Sequence, residues 1–203
     1  MDFHCRMRAN RIGNNGETEE VRAMKNNDKA LLIIDMINPL QFSKAGLLLN
    51  GINQMIHPLT CLMDRARKKR IPIIYVNDNC GRWASNRDDL IRAALEGPGA
   101  EAVRQLLPDP EDYFIIKPKH SGFFATPLHA LLHDLGADTL ILTGVAGNIC
   151  VLFTANDAYM RDFNLMVPQD CCASNVKEDN DYALRMMNQV LGADTRRQSE
   201  LEL

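Results

Sequence analysis

The stretch "LILTGVAGNICVLFTANDAYMRD", residues 140–162, joins a strand to a helix through two glycines and a cysteine. Leu140 to Leu142 is a short apolar run with β character. Gly144 and Gly147 break it, and helical periodicity takes over from Asn148. Cys150 therefore falls where a helix begins. Two readings of it are open: a small hydrophobe closing a core, or a nucleophile at a helix start, where the dipole and a nearby cation would lower the thiol pKa.

The same alternation extends in both directions. "KALLIID" (29–35), "IPIIYVND" (71–78), "DYFIIKP" (112–118), "TLILTG" (139–144) and "NLMVPQD" (164–170) have strand length and apolar content. Helical patterns separate them, at 52–70, 88–97, 126–137 and 148–160, with a final one at 177–191. Pro72 marks the end of the first helix. Thr126, Pro127 and Gly136 fit the N-cap, N1 and C′ positions of the third. Strands that are apolar throughout, alternating with helices, argue for a parallel sheet covered on both faces. In such sheets ligands bind beyond the carboxyl ends of the strands.

Those ends carry a short set of reactive groups. The first strand ends in Asp35, the second in Asn77 and Asp78, the third in Lys117, and the fourth in "TGVAGNIC". Taken singly, Asp35 reads equally as a turn cap, Lys117 as a surface lysine and Cys150 as a packing residue. Together they bring a carboxylate, an ammonium and a thiol to one sheet edge. A carboxylate near a thiol can take its proton and later deliver it to a leaving amine. The N–H groups of the Val145–Cys150 turn are suited to holding an oxyanion.

The bulk composition excludes several classes. A chain of 203 residues, 46% hydrophobic, has room for one sizeable core. Its net charge of −3 and the lack of a basic stretch interleaved with aromatics argue against nucleic acid. The densest basic run, "DRARKKR" at 64–70, falls at a helix end, where cations complement the dipole. No apolar run approaches the roughly 20 residues of a spanning helix, so no membrane partner is expected. Residues 1–28 read as a polar arm without a secretory apolar region, and 29–203 as one domain. The six cysteines show neither CxxC spacing nor a zinc pattern, which points to reduced thiols and a cytoplasmic protein. His129 and His133 share a helix face but lack the glutamate of a metalloprotease motif.

"ALLIIDMINPLQF", "KPKHSGFFATPL" and "LILTGVAGNICVLFTANDAYMRDF", followed by "VPQDCCAS", resemble the isochorismatase-like cysteine hydrolases over about residues 29–190. The resemblance implies a three-layer α/β/α sandwich around a six-stranded, mostly parallel sheet of Rossmann-like topology. It implies a catalytic triad of Asp35 as base, Lys117 as electrostatic support and Cys150 as nucleophile. Lys117 is chosen over Lys119 because "KPKHSGF" aligns with the family's K-x-x-[YH]-S-[AG]-F. It further implies a cis peptide between Val145 and Ala146, an oxyanion hole from the N–H groups of Ala146 and Cys150, no cofactor, and a homodimer or homotetramer.

Asn77, Trp83, Phe42, His120 and Phe123 are candidates for contact with a small-molecule substrate, against plain packing for the aromatics. Cys80 is a possible second thiol near the site. Two departures narrow the activity. After the second strand the chain has "NDNCGRWASNRDD", without the histidines of the nicotinamidase metal cluster, so no metal is expected. Isochorismatases proper, which cleave a vinyl ether, do without the cysteine. Cys150 thus favours hydrolysis of an amide or carbamoyl compound. Ether hydrolysis by Asp35 alone, or a non-catalytic ligand-binding protein, are the alternatives.

Overall fold

The computed structural model describes residues 28–83 and 86–203. The arm expected at the N-terminus lies, apart from Asp28, outside the described residues. Six strands form one sheet: β1 (Lys29–Ile34), β2 (Ile73–Asp78), β3 (Tyr113–Lys117), β4 (Thr139–Val145), β5 (Asn164–Met166) and β6 (Cys172–Ala173). The order is β3-β2-β1-β4-β5, every pairing is parallel, and β6 pairs the far end of β4.

The sheet is apolar on both sides because helices cover both. Successive strand residues point to opposite faces. Leu31, Ile33, Ile73, Tyr75 and Ile141 pack on one side against α1 (Ala45–Lys68), α2 (Arg87–Leu95) and α3 (Ala100–Gln105). Ala30, Leu32, Ile34, Ile74 and Leu140 pack on the other against α4 (Leu128–Leu135), α5 (Leu152–Tyr159) and α6 (Lys177–Leu191). This is a three-layer α/β/α sandwich.

Several boundaries differ from the sequence reading. Helix α1 starts at Ala45, seven residues before the expected 52. Its buried face (Leu48, Ile52, Met55, Leu59, Leu62 and Ala66) keeps helical spacing across the whole length. Gly46, Asn50 and Gly51 are poor helix formers and hide the first turns from a propensity reading. Helix α3 was not expected at all, since "GPG" at 97–99 precedes it. The third expected helix is shorter: Pro127 takes the N-cap position, and the Thr126 hydroxyl caps from one residue further out by accepting from the Leu128 N–H at 3.2 Å. Gly136 closes that helix in the left-handed region, at φ 70°. The expected strand at 164–170 contracts to three residues, because the chain turns at Pro168 into a short 3₁₀ segment before β6.

The chain order places β1 and β4 side by side at the point where the sheet's winding reverses. Beyond the carboxyl ends of such a pair the connecting loops diverge and leave a crevice. No helix among the described residues is long and apolar enough to cross a membrane.

Candidate active site

Gly144 and Ile34 are partners in the β1–β4 ladder. Gly144 has φ 111°, and a Cβ there would lie 2.1 Å from the Ile34 carbonyl oxygen. Only glycine permits this approach. It brings the residue after β1, Asp35, beside the turn that follows β4. The peptide bond between Val145 and Ala146 is cis. The Ala146 carbonyl then accepts from both Ile149 N–H (3.0 Å) and Val151 N–H (3.2 Å), which tightens Gly147–Val151 into a π-helical turn ahead of α5. Cys150 sits on that turn, half-buried.

Lys117 ends β3, two strands away from β1, and its long side chain spans the gap with its ammonium fully buried. Nζ lies 2.9 Å from Asp35 Oδ2, 3.5 Å from Cys150 Sγ and 3.8 Å from Asp78 Oδ2. Asp35 Oδ1 accepts from the Asp78 N–H at 2.7 Å, so the carboxylate is held from two sides. The thiol is also within reach of the Asp35 carboxylate. Lys119, by contrast, is exposed.

The electrostatics follow from burial. Asp35 is pushed above the usual carboxylate range by desolvation, against the pull of the Lys117 charge. Burial pushes the Lys117 ammonium down, but the Asp35 carboxylate beside it more than offsets this, so lysine stays protonated. The Cys150 thiol is pushed up to about 12, first by burial and then by the Asp35 charge, with Lys117 opposing. The lowered thiol pKa expected from the helix start is therefore not found. The thiol rests as SH, beside a carboxylate whose raised affinity for protons makes it a capable acceptor.

Asp35 and Cys150 open onto a cleft of about 1280 Å³ at the carboxyl edge of the sheet, with the Lys117 ammonium buried behind them. Asp35, Ala146 and Cys150 form its floor, and Asp78, Cys80, Phe42, Trp83, Ile149 and Val176 line the sides and rim. Phe42 and Trp83 are thus where a substrate could meet them. Asn77, His120 and Phe123 are not. Asn77 has the same parity as Tyr75 along β2, faces α1 and donates to the Ile37 carbonyl at 2.6 Å. His120 is exposed and stacks obliquely on Phe153. Phe123 is buried against Phe163, with the His129 ring at its edge.

Sequence reasoning noted Asp78 at a strand end but gave it no role, although it lines the cleft and approaches Lys117. It missed Thr154, whose hydroxyl donates to the Cys150 carbonyl at 2.7 Å and accepts from Gly122 N–H at 3.0 Å. That pair ties the loop after Lys117 to the helix carrying Cys150. Among the described residues no group of three His, Cys, Asp or Glu side chains could hold a metal ion, and the five described cysteines are all free thiols.

An α/β/α fold with an acid, an ammonium and a thiol at its switch point has recognisable kin. The isochorismatase domain family matches residues 29–199, and the chain belongs to that family of hydrolases. It is 43% identical over 178 residues to the uncharacterised isochorismatase family protein YaaI of Bacillus subtilis, which covers 88% of this chain and 98% of that protein. It is 41% identical over 94 residues to the ureidoacrylate amidohydrolase RutB of an Enterobacter species, covering 45% of this chain and 41% of RutB. Among solved structures, N-carbamoylsarcosine amidase from Thermoplasma acidophilum superposes with a TM-score of 0.70 at 27% identity, covering 87% of this chain and 100% of that one.

Proposed function

We propose that this protein is a cysteine amidohydrolase, cleaving a small amide or carbamoyl compound through a thioester on Cys150. The observation that carries the reading is the buried Lys117 ammonium lying 2.9 Å from Asp35 and 3.5 Å from the Cys150 thiol, two groups that line an open cleft. A vinyl ether hydrolase needs the carboxylate alone. A thiol held against that carboxylate and an ammonium is the arrangement of covalent catalysis. Similarity to an amidohydrolase and an amidase, by their names, supports the same bond type.

The steps follow from the geometry. Asp35 takes the Sγ proton as sulfur attacks the carbonyl carbon, so no free thiolate accumulates beforehand. The carbonyl electron pair moves onto oxygen, facing the N–H groups of Ala146 and Cys150. Collapse breaks the C–N bond, and the amine leaves with the proton from Asp35. Water then gives its proton to Asp35 and attacks the thioester, and the departing sulfur takes that proton back. Lys117 remains charged throughout. It balances whichever of Asp35 and Cys150 carries the negative charge, which lowers the cost of passing the proton between them.

A panel of primary amides, carbamoyl compounds and ureido acids, read by amine or ammonia release, tests the reading. At least one class is expected to be hydrolysed in a Cys150-dependent way. Cleavage of a vinyl ether with no activity on any C–N bond would overturn it.

A further inference from the structure

We propose that Ser174 and Asn180 are positioning residues that fix the turn carrying Cys150, an inference that rests on Cys150 being the nucleophile. Both are buried polar side chains, each 7% exposed, and the mechanism above gives them no task. In the β4–β6 ladder Gly144 pairs with Cys172 and Val145 with Ala173. The residue that follows β6, Ser174, therefore falls level with Ala146, where the turn begins.

The Ser174 hydroxyl accepts from the Asn148 N–H at 3.1 Å and donates to Asn180 Oδ1 at 3.0 Å. The Asn180 amide nitrogen in turn donates to the Cys172 carbonyl at 3.4 Å. Each donor in the chain thus has one acceptor, and the amide orientation is set by its two partners. Gly147 makes room for this. A Cβ there would lie 2.0 Å from Asn180 Oδ1 and 3.3 Å from Ser174 Oγ. Glycine serves here by absence of bulk, letting an α6 side chain reach the turn's backbone.

The consequence is selective. A turn at a helix start offers several N–H groups to a developing oxyanion. Ser174 occupies that of Asn148, two residues before the nucleophile, and so anchors the turn to β6 and α6. Ala146 and Cys150 are left to face the substrate oxygen. Asn180 acts through Ser174 by fixing its hydroxyl direction. Misplacing a reacting group by an ångström can cost about a hundredfold in rate, so this anchor bears on turnover while touching no substrate.

The test is peptide-resolved alkylation by iodoacetamide at pH 8 of the full chain and its Ser174→Ala, Ser174→Thr, Asn180→Ala and doubly substituted Ser174→Ala/Asn180→Ala variants. Loss of the anchor should let the thiol leave its buried place and raise the Cys150 rate about fivefold or more in either single alanine variant. The double variant should go no further than the singles, since the two residues act as one unit. Ser174→Thr, which keeps the hydroxyl, should stay near the parent rate. Cys171 and Cys172, buried next to Ser174, should keep their parent rates in all variants. On an amide hydrolysed by the parent, kcat should fall about tenfold or more with little change in KM. An unchanged Cys150 rate, or Cys171 and Cys172 rising in step with it, overturns the inference. Full activity of Cys150→Ala would instead remove the nucleophile assignment, an outcome the alkylation rates do not share.

Discussion

A Cys150→Ala protein is expected to fold as the parent does and to lose its amide hydrolysis by about 10⁴-fold or more. Alanine removes only the sulfur, from a half-buried residue whose backbone bonds hold the π-helical turn regardless. The stability change should therefore stay within about 1–2 kcal/mol. The rate loss is large because the remaining groups can orient and polarise an amide but cannot form the thioester. Steady-state turnover and thermal unfolding, measured side by side, check both halves. The same substitution separates the alternatives raised by the sequence: ether hydrolysis through Asp35 would survive it.

Lys117→Met should unsettle the molecule itself. Methionine keeps much of the lysine's length but leaves Asp35, 5% exposed, without the cation 2.9 Å away. Removing one partner of a buried ion pair costs about 3–5 kcal/mol, or roughly 10 °C in Tm for a chain of this size. The pH dependence fixes the cause. In the variant the folded-state pKa of Asp35 rises further above its unfolded value, because burial remains and the opposing charge is gone. A group with a raised folded pKa contributes stability below its unfolded pKa and loses it as pH climbs through the folded one. The deficit of Lys117→Met should accordingly be smallest in acid and open as pH rises toward neutrality. Denaturant unfolding of parent and variant across that range measures it. A deficit below about 1 kcal/mol at pH 7, or one that grows toward acid, contradicts the buried pair as described.

The sheet and most helices were legible because their cause is local. Strands buried on both faces must be apolar throughout, and each is followed by a helix pattern of fixed period. Asp35, Lys117 and Cys150 were legible because a parallel sheet gathers its strand ends on one edge. What the sequence hid depends on contacts between distant segments. β6 is two residues long and exists by pairing with the end of β4. Ser174 and Thr154 each reach the turn around Cys150 through a single hydrogen bond, Asn180 reaches it through Ser174, and nothing in their own neighbourhoods announces it. Phe123 follows Lys117 closely in sequence, yet the chain reverses over Ser121–Ala125 and buries the ring between helices, away from the cleft. The pKa of Cys150 was misjudged for a similar reason. The helix start is a local signal, whereas burial and the Asp35 charge, which outweigh the Lys117 ammonium, come from the assembled fold.

The central claim is a covalent bond between substrate and Cys150. Mixing the protein with an amide it hydrolyses, quenching in acid within the first turnover and mapping peptide masses tests this most directly. The account predicts the acyl mass on the peptide containing Cys150, gone once turnover is complete and absent from Cys150→Ala. Turnover with an unmodified Cys150 at every quench time, matched by an active Cys150→Ala protein, would contradict it.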